Sequence, residues 1–221
     1  MKLTIIAASG GIGRQLLQQA MTAGHQVTAV VRDPTRLAVR VRVVQADLAT
    51  PIPAIIESAV RGADAVLSPL GPRSAAEIGI ASHGTRAIVQ GMQAAGVRRI
   101  VAVSAAPVGT VPSPGRPHPP KFDPGDGFLM RHLIGPILKA ALRRHYADLA
   151  LMEEVLRNSG LDWTVVRPPR LTKRLGNGRY RTAFGRNLRG GVLISRANVA
   201  RLMLSILGQP EAIRQTIAIA A

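Results

Sequence analysis

The chain has 221 residues, a formal net charge of +17 and no cysteine. That length suits one doubly wound sheet and is short for two full domains, while the missing thiols exclude a disulfide framework, a thiolate metal site and a cysteine nucleophile. The 25 Arg and 4 Lys against 12 acidic residues predict attraction for anions, but only 3% of the chain is aromatic and no helix-turn-helix, zinc-finger or RNP pattern occurs, so nucleic-acid binding beyond nonspecific charge attraction is not expected.

Residues 2–8 are a short apolar run rich in β-branched side chains, followed by Ser9, Gly10, Gly11, Ile12 and Gly13 and by an apolar-periodic stretch at 15–21. After Gly24 a second buried-strand pattern spans 26–31. Strand, glycine turn, helix and strand make a βαβ unit. A backbone that approaches a pyrophosphate closely has no room for side chains at the contact, so glycines fill such a turn. The helix behind it offers unpaired N–H groups and the positive end of its dipole. Gly10, Gly11 and Gly13 meet this requirement, and Ala7 stands where a spaced pattern has its first glycine, a departure of one methyl group. The second strand ends in Arg32, with Arg36 four residues on. An acidic residue there would accept from a ribose 2′-hydroxyl, whereas a guanidinium suits a 2′-phosphate. The opening therefore predicts a site for NADP(H).

The alternation continues. A third strand is expected at 41–46, with Asp47 and Leu48 at its carboxyl end, then a short helix at 51–61 opened by proline. A fourth strand at 64–67 leads to Leu70 and Gly71, and a longer helix at 75–95 is stopped by Gly96. A fifth strand covers 98–104, a sixth 162–167, a helix 195–208 and a final strand 215–220. Such βα units predict an α/β fold, a Rossmann-like doubly wound parallel sheet covered on both faces, as a single domain over 1–221. Ligands bind such sheets at the carboxyl ends of the strands, which selects 7–13, Arg32, Asp47, Leu70, Gly71, Arg73, Ser104 and Pro168 to Arg170 as one surface. The chain opens on a core strand without a charged leader, and no apolar run approaches a membrane span, so a cytoplasmic protein is expected.

Two segments stand apart. A Pro/Gly-rich insertion at 105–127 holds seven prolines and four glycines between 107 and 127 and reads as an irregular loop beside the strand ends, placed to cover a substrate. Residues 128–144 follow, with Met130, Leu133, Ile134, Ile137, Leu138, Ala141 and Leu142 on one helical stripe, kinked or split at Pro136; that face is expected to pack on the domain's own core. A basic substrate-side segment at 168–192 leaves the sixth strand through Pro168 and Pro169. Arg170, just beyond that turn, is the candidate to pair with a carboxylate or phosphate on a substrate.

Several stretches together carry a family likeness: Ala7-Ala-Ser-Gly-Gly-Ile-Gly13, Val31-Arg-Asp-Pro-Thr-Arg-Leu37, Asp47-Leu48, Leu70-Gly-Pro-Arg73, Val101-Ala-Val-Ser104 and Ser159-Gly-Leu-Asp-Trp-Thr-Val-Val-Arg-Pro-Pro169. In these the chain resembles atypical short-chain dehydrogenases/reductases of the NAD(P)H-binding group that includes biliverdin reductase B (flavin reductase) and NmrA-like proteins. The resemblance implies that Gly10, Gly11, Ile12 and Gly13 hold the pyrophosphate, that Arg32 and Arg36 hold the 2′-phosphate and that Asp47 and Leu48 flank the adenine. It also implies that Leu70, Gly71 and Ser104 lie along the nicotinamide side, and Ala7, Ser9, Arg73 and Pro168 are further candidates to bind the cofactor.

The wider superfamily pairs a catalytic Tyr with a Lys four residues later, whose charge lowers the phenol pKa. Here Tyr146 is followed by Ala150, and His145 by Leu149, which disfavours alcohol oxidation and sugar epimerisation by that device. Reduction of a flavin-, tetrapyrrole- or quinone-like acceptor asks less: the acceptor stacks on the nicotinamide and solvent supplies the proton. An NADP-dependent oxidoreductase acting on an anionic acceptor is the leading reading, with Ser104 and Tyr146 as candidate catalytic side chains, no metal, and a monomer or homodimer. The rivals are a non-catalytic NADP(H)-sensing regulator like the NmrA group and an epimerase/dehydratase-like enzyme.

Overall fold

Runs of Val, Ile, Leu and Ala without polar alternation are suited to strands buried on both faces. The structure, a computed structural model, describes residues 1–221 apart from Ala38, Arg73, Leu129 and Leu175 and the side chains of Met130 and Ile134; the expectation for Arg73 therefore lies outside the described residues. The strands are β1 (Lys2–Ile6), β2 (Gln26–Val31), β3 (Arg42–Gln45), β4 (Ala65–Ser68), β5 (Arg99–Val103), β6 (Asp162–Arg167), β7 (Arg170–Thr172), β8 (Arg181–Phe184), β9 (Leu193–Ser195) and β10 (Gln215–Ala220). The helices are α1 (Gly11–Thr22), α2 (Pro53–Val60), α3 (Ile80–Ala94), α4 (Gly135–Ala141), α5 (Arg143–Arg157) and α6 (Arg196–Ser205).

The main sheet runs β3-β2-β1-β4-β5-β6-β10-β8. Its first six strands have the order of a dinucleotide-binding sheet. β10 continues it in parallel beside β6, and β8 closes the edge antiparallel to β10, Ala220 opposite Arg181. Leu3, Ile5, Leu16, Val199 and Met203 lie in the core under α1 and α6, while Ile6, Val66, Ile88, Met92 and Leu156 lie in the core under α2, α3 and α5. Each such aliphatic side chain contributes about 1.5–3 kcal/mol on burial, so two filled layers hold the strand ends in fixed register.

Three expectations change. The helix read over 75–95 is a single turn at Ala75–Glu77 followed by α3, which starts again at Ile80. Gly79 between them has φ +105°, and the buried Asp148 carboxylate on α5 accepts from the backbone N–H of Gly79, Ala81 and Ser82 at 2.9, 3.1 and 3.0 Å. A carboxylate that satisfies three orphan donors at a helix start fixes where the helix begins.

The stripe at 128–144 does not pack on the core. A π-helical turn at Met130–Ile134 gives way to α4 at Gly135, beside Pro136, and α5 begins after a break at Leu142. Leu133, Ile137 and Leu142 are exposed, as is Phe128 before them. The split of this stretch into a π turn, α4 and α5 breaks the single stripe, and Leu133, Ile137 and Leu142 of it face solvent among the described residues.

The Pro/Gly-rich insertion does not stand off as a free flap. Val108, Ser113 and Asp123 are buried, and Gly115 lies against the Glu154 carboxylate of α5. The basic segment beyond β6 holds strands that its sequence did not mark: β7 pairs in parallel with β9, and β8 joins the main sheet.

Candidate active site

Because β1 to β6 are parallel, the residues that follow them share one edge of the sheet. The turn 7–13 follows β1, Arg32 and Arg36 follow β2, and Asp47 and Leu48 follow β3. Leu70 and Gly71 follow β4, Ser104 follows β5, and Pro168 and Arg170 follow or begin the chain beyond β6. The sheet brings together every described site residue expected from the sequence except Tyr146, which belongs to α5.

The glycine turn is tight in the way a pyrophosphate cradle requires. A Cβ on Gly13 would run into the Ala7 carbonyl and come within 2.8 Å of Ala8 Cα, and one on Gly10 would stand 3.1 Å from the Ala7 carbonyl. The Gly10 N–H donates to Ala7 O at 2.9 Å, closing the turn. Ala7 itself sits at φ +50°, a left-handed conformation that costs an ordinary residue about 1–2 kcal/mol. The methyl group at this position is therefore not a neutral departure from glycine: it stores strain at the strand end.

Gly11 reveals a residue that sequence reasoning missed. A Cβ there would lie 2.7 Å from both Cδ and Nε of Arg196, the first residue of α6. A guanidinium 185 positions away in sequence thus rests on the exposed glycine at the start of α1. Ser195 caps α6 by accepting from the Asn198 N–H at 3.1 Å, and this local cap sets where Arg196 enters. That cap pattern was the only signal available, and it marks the helix start without saying what lies opposite.

At the end of β2, Arg32 Nη1 donates to Glu77 Oε1 at 2.9 Å with the Arg32 side chain 48% exposed. Exposed pairs of this kind contribute at most about 1 kcal/mol, weak enough for a phosphate to replace. Arg36 is exposed beside it. Asp47 is exposed and accepts from the Ala49 N–H at 3.0 Å. Leu48 and Leu70 are buried and meet over Gly84 of α3, whose Cβ position is 2.6 Å from Leu70 Cδ2 and 3.2 Å from Leu48 Cβ. The position above Gly71 is open. Ser9 and Ile12 are buried beneath the turn.

Beyond β5 lies a buried ion cluster that the sequence did not announce. Glu153 of α5 accepts from Arg167 Nε at 2.9 Å and again from Arg167 Nη2, and from Arg157 Nη2 at 2.7 Å. Burial alone would raise the Glu153 carboxyl, but the two bonds from Arg167, with Arg157 beyond, hold it below its ordinary value. The Ser104 hydroxyl is buried on the Glu153 side, close enough to help lower that carboxyl yet without an aligned hydrogen bond. Tyr146 is buried in the layer under α5, and burial raises its phenol pKa. The Pro168 carbonyl accepts from the Ala106 N–H at 3.0 Å, tying the start of the insertion to the exit from β6, where Arg170 is exposed. Among the described residues no group of three or more metal-ligating side chains occurs, and no helix is long and apolar enough to cross a membrane.

Residues 7–210 match a family described as NAD(P)H-binding. UPF0659 protein C216.03 of Schizosaccharomyces pombe is 29% identical over 217 residues, which cover 91% of this chain and 83% of that protein. Two solved structures share the fold. A wide-type short-chain dehydrogenase/reductase from Veillonella parvula, in complex with NADP, superposes with a TM-score of 0.76 at 19% identity, covering 100% of this chain and 94% of that one. ChuY, an anaerobillin reductase from Escherichia coli O157:H7, has a TM-score of 0.76 at 20% identity, covering 100% and 97%.

Proposed function

Because the chain belongs to the NAD(P)H-binding family, we propose that it is an NADPH-dependent reductase that passes hydride to an anionic flavin-, tetrapyrrole- or quinone-like acceptor. The observation that carries this reading is the glycine turn packed under the start of α1, with Arg32 and Arg36 waiting at the end of the next strand. That a neighbour in fold binds NADP and another is an anaerobillin reductase supports it.

In this reading the backbone N–H groups of 11–13 and the positive end of α1 take the pyrophosphate, and the Arg196 guanidinium over Gly11 neutralises it further. Arg32 gives up Glu77 to take the 2′-phosphate jointly with Arg36, a contact NADH cannot offer. Asp47 and Leu48 flank the adenine, and Leu70, Gly71, Ser104 and Pro168 border the nicotinamide. When bound, the cofactor supplies a hydride at its nicotinamide ring. The protein positions an acceptor against it and excludes water from the contact. Tyr146 has a phenol raised by burial and Ala150 where a lysine would lower it, so solvent supplies the proton. Arg170 faces the acceptor's acid group.

Two measurements test this. NADPH oxidation is followed with FMN, riboflavin, biliverdin and simple quinones, beside NADPH and NADH titrations. Turnover on an acidic acceptor, tighter binding of NADPH than NADH, and a higher KM for that acceptor in Arg170→Ala are expected. Tight NADPH binding with no turnover on any acceptor would replace the reductase with a sensor. In the second, Arg196→Ala is expected to weaken NADPH binding about tenfold, the worth of one charge-assisted hydrogen bond to a phosphate, with little change in the urea midpoint. Unchanged NADPH affinity would remove Arg196 from the site.

A further inference from the structure

The two segments that sequence reading set apart, the end of the Pro/Gly-rich insertion and the basic stretch beyond β6, meet at the β8 edge of the sheet. Between them is a cleft of about 600 Å³, walled by 124–128 with Arg131 and His132 on one side and by 181–183 and 186–189 on the other. Small-molecule sites span roughly 300–1,000 Å³.

Its charge is one-sided. Arg131, Arg181, Arg186 and Arg189 line it against one acid, Asp126. Asp126 is already engaged: it accepts from Asn187 Nδ2 at 2.9 Å and also faces Lys139. Among the described residues none of the four arginines is paired with an Asp or Glu side chain. Arg181 instead braces the walls, donating to the carbonyls of Arg189 and Ala221 at 3.3 and 3.1 Å.

Two polar atoms of the lining residues are buried without partners: Arg131 Nε, a donor, and Asn187 Oδ1, an acceptor. Orphaned buried groups cost about 1–3 kcal/mol each and persist where a ligand or water completes them. Phe128 adds a ring at the mouth, 79% exposed and in tilted contact with His132 at 4.7 Å between centroids.

The cleft also adjoins the carboxyl edge. Arg181 bonds to Ala221, the Ala221 N–H donates to Leu193 O at 3.0 Å, and Leu193 is the register partner of Arg170. A chain of backbone contacts thus links Arg170 to Arg181 at the cleft.

We infer that this cleft binds the acidic arm of the acceptor, a flat molecule carrying a phosphate or carboxylate, with Arg131 and Arg186 as its reading residues. The inference rests on the reductase reading and extends it: Arg170 meets the acidic side of the acceptor where the chain leaves β6, and the cleft holds the terminal anion. Arg131 is held near the anion by its own bond to Pro124 O at 3.3 Å, whereas Arg186 is exposed and free to close over it.

The experiment is calorimetric titration of FMN and riboflavin, which differ by one phosphate, into the protein saturated with NADP+ so that the glycine turn is occupied. FMN is expected to bind about tenfold or more tighter than riboflavin, as one or two charge-assisted bonds imply. Arg131→Gln and Arg186→Gln should each erase most of that gap while leaving riboflavin and NADP+ affinities unchanged. Equal affinities for FMN and riboflavin, or a gap that survives both substitutions, overturns the assignment. NADPH oxidation is measured in parallel. A phosphate-dependent gap without turnover retires the reductase and keeps the cleft; turnover without a gap does the reverse.

Discussion

Replacing Gly13 with alanine is expected to lower stability by about 3 kcal/mol, the upper end of overpacking penalties, and to abolish measurable NADPH binding. The added Cβ meets backbone on both sides, the Ala7 carbonyl and Ala8 Cα, and backbone at a strand end cannot step aside as a flexible side chain can. Either α1 withdraws from β1 or the turn opens, and both move the N–H groups that face a pyrophosphate. Gly208→Ala serves as the control, because its Cβ enters open space away from the turn. Urea unfolding and an NADPH titration read the result. A Gly13→Ala protein with wild-type midpoint and affinity would mean that the turn is neither tight nor the cofactor's seat.

The second large effect concerns Glu153. Glu153→Gln leaves the buried Arg167 guanidinium without its counter-charge, and breaking such a pair costs about 3–5 kcal/mol. The pH dependence gives the sign. The folded-state pKa of Glu153 is below the ordinary 4.5, so the carboxylate contributes stability that is fully present above that value and is lost as pH falls through the folded pKa. The wild-type urea midpoint should therefore drop steeply on acidification below about pH 4.5, and the Gln variant, weaker at neutral pH, should lose less over the same interval. Parallel acid profiles for the two proteins would show that Glu153 is not the titrating group. Arg167→Met makes a complementary case. With the guanidinium gone, burial acts on the carboxyl without its main opponent, its pKa rises, and the variant should recover part of its lost stability as the pH is lowered towards the carboxylate range.

What the sequence disclosed was local or periodic. The glycine turn, the six parallel strands and the order of residues along their carboxyl ends follow from short patterns whose meaning does not depend on distant parts of the chain. The contacts it hid are between distant parts. Arg196 over Gly11 joins the first helix to the last, Asp148 sets the start of α3 from another helix, and Glu153 meets Arg167 across a loop and a strand end. Each is made by a common residue type in an ordinary local setting. The stripe on 128–144 failed for a different reason: spacing tells which side chains share a helix face, and only the tertiary structure tells whether another layer reaches it. The strands β7, β8 and β9 were missed because three or four residues are too few to show a pattern against the Arg- and Gly-rich stretches around them.

The open ends of the main sheet give the arginine surplus a use apart from ligands. β3 and β8 each pair on one side only, so each offers a row of unsatisfied backbone groups to any passing strand. β3 begins with the exposed Arg42 and β8 with the exposed Arg181. Bulky like charges at sheet edges disfavour the docking of a second copy's strand, so a sheet of eight strands with Arg at both edges is expected to resist growth into a ribbon across molecules. The side chains that draw anions are thus placed to oppose aggregation as well, and the two demands meet on β8, where any anion that settles among the arginines would weaken the guard on that edge.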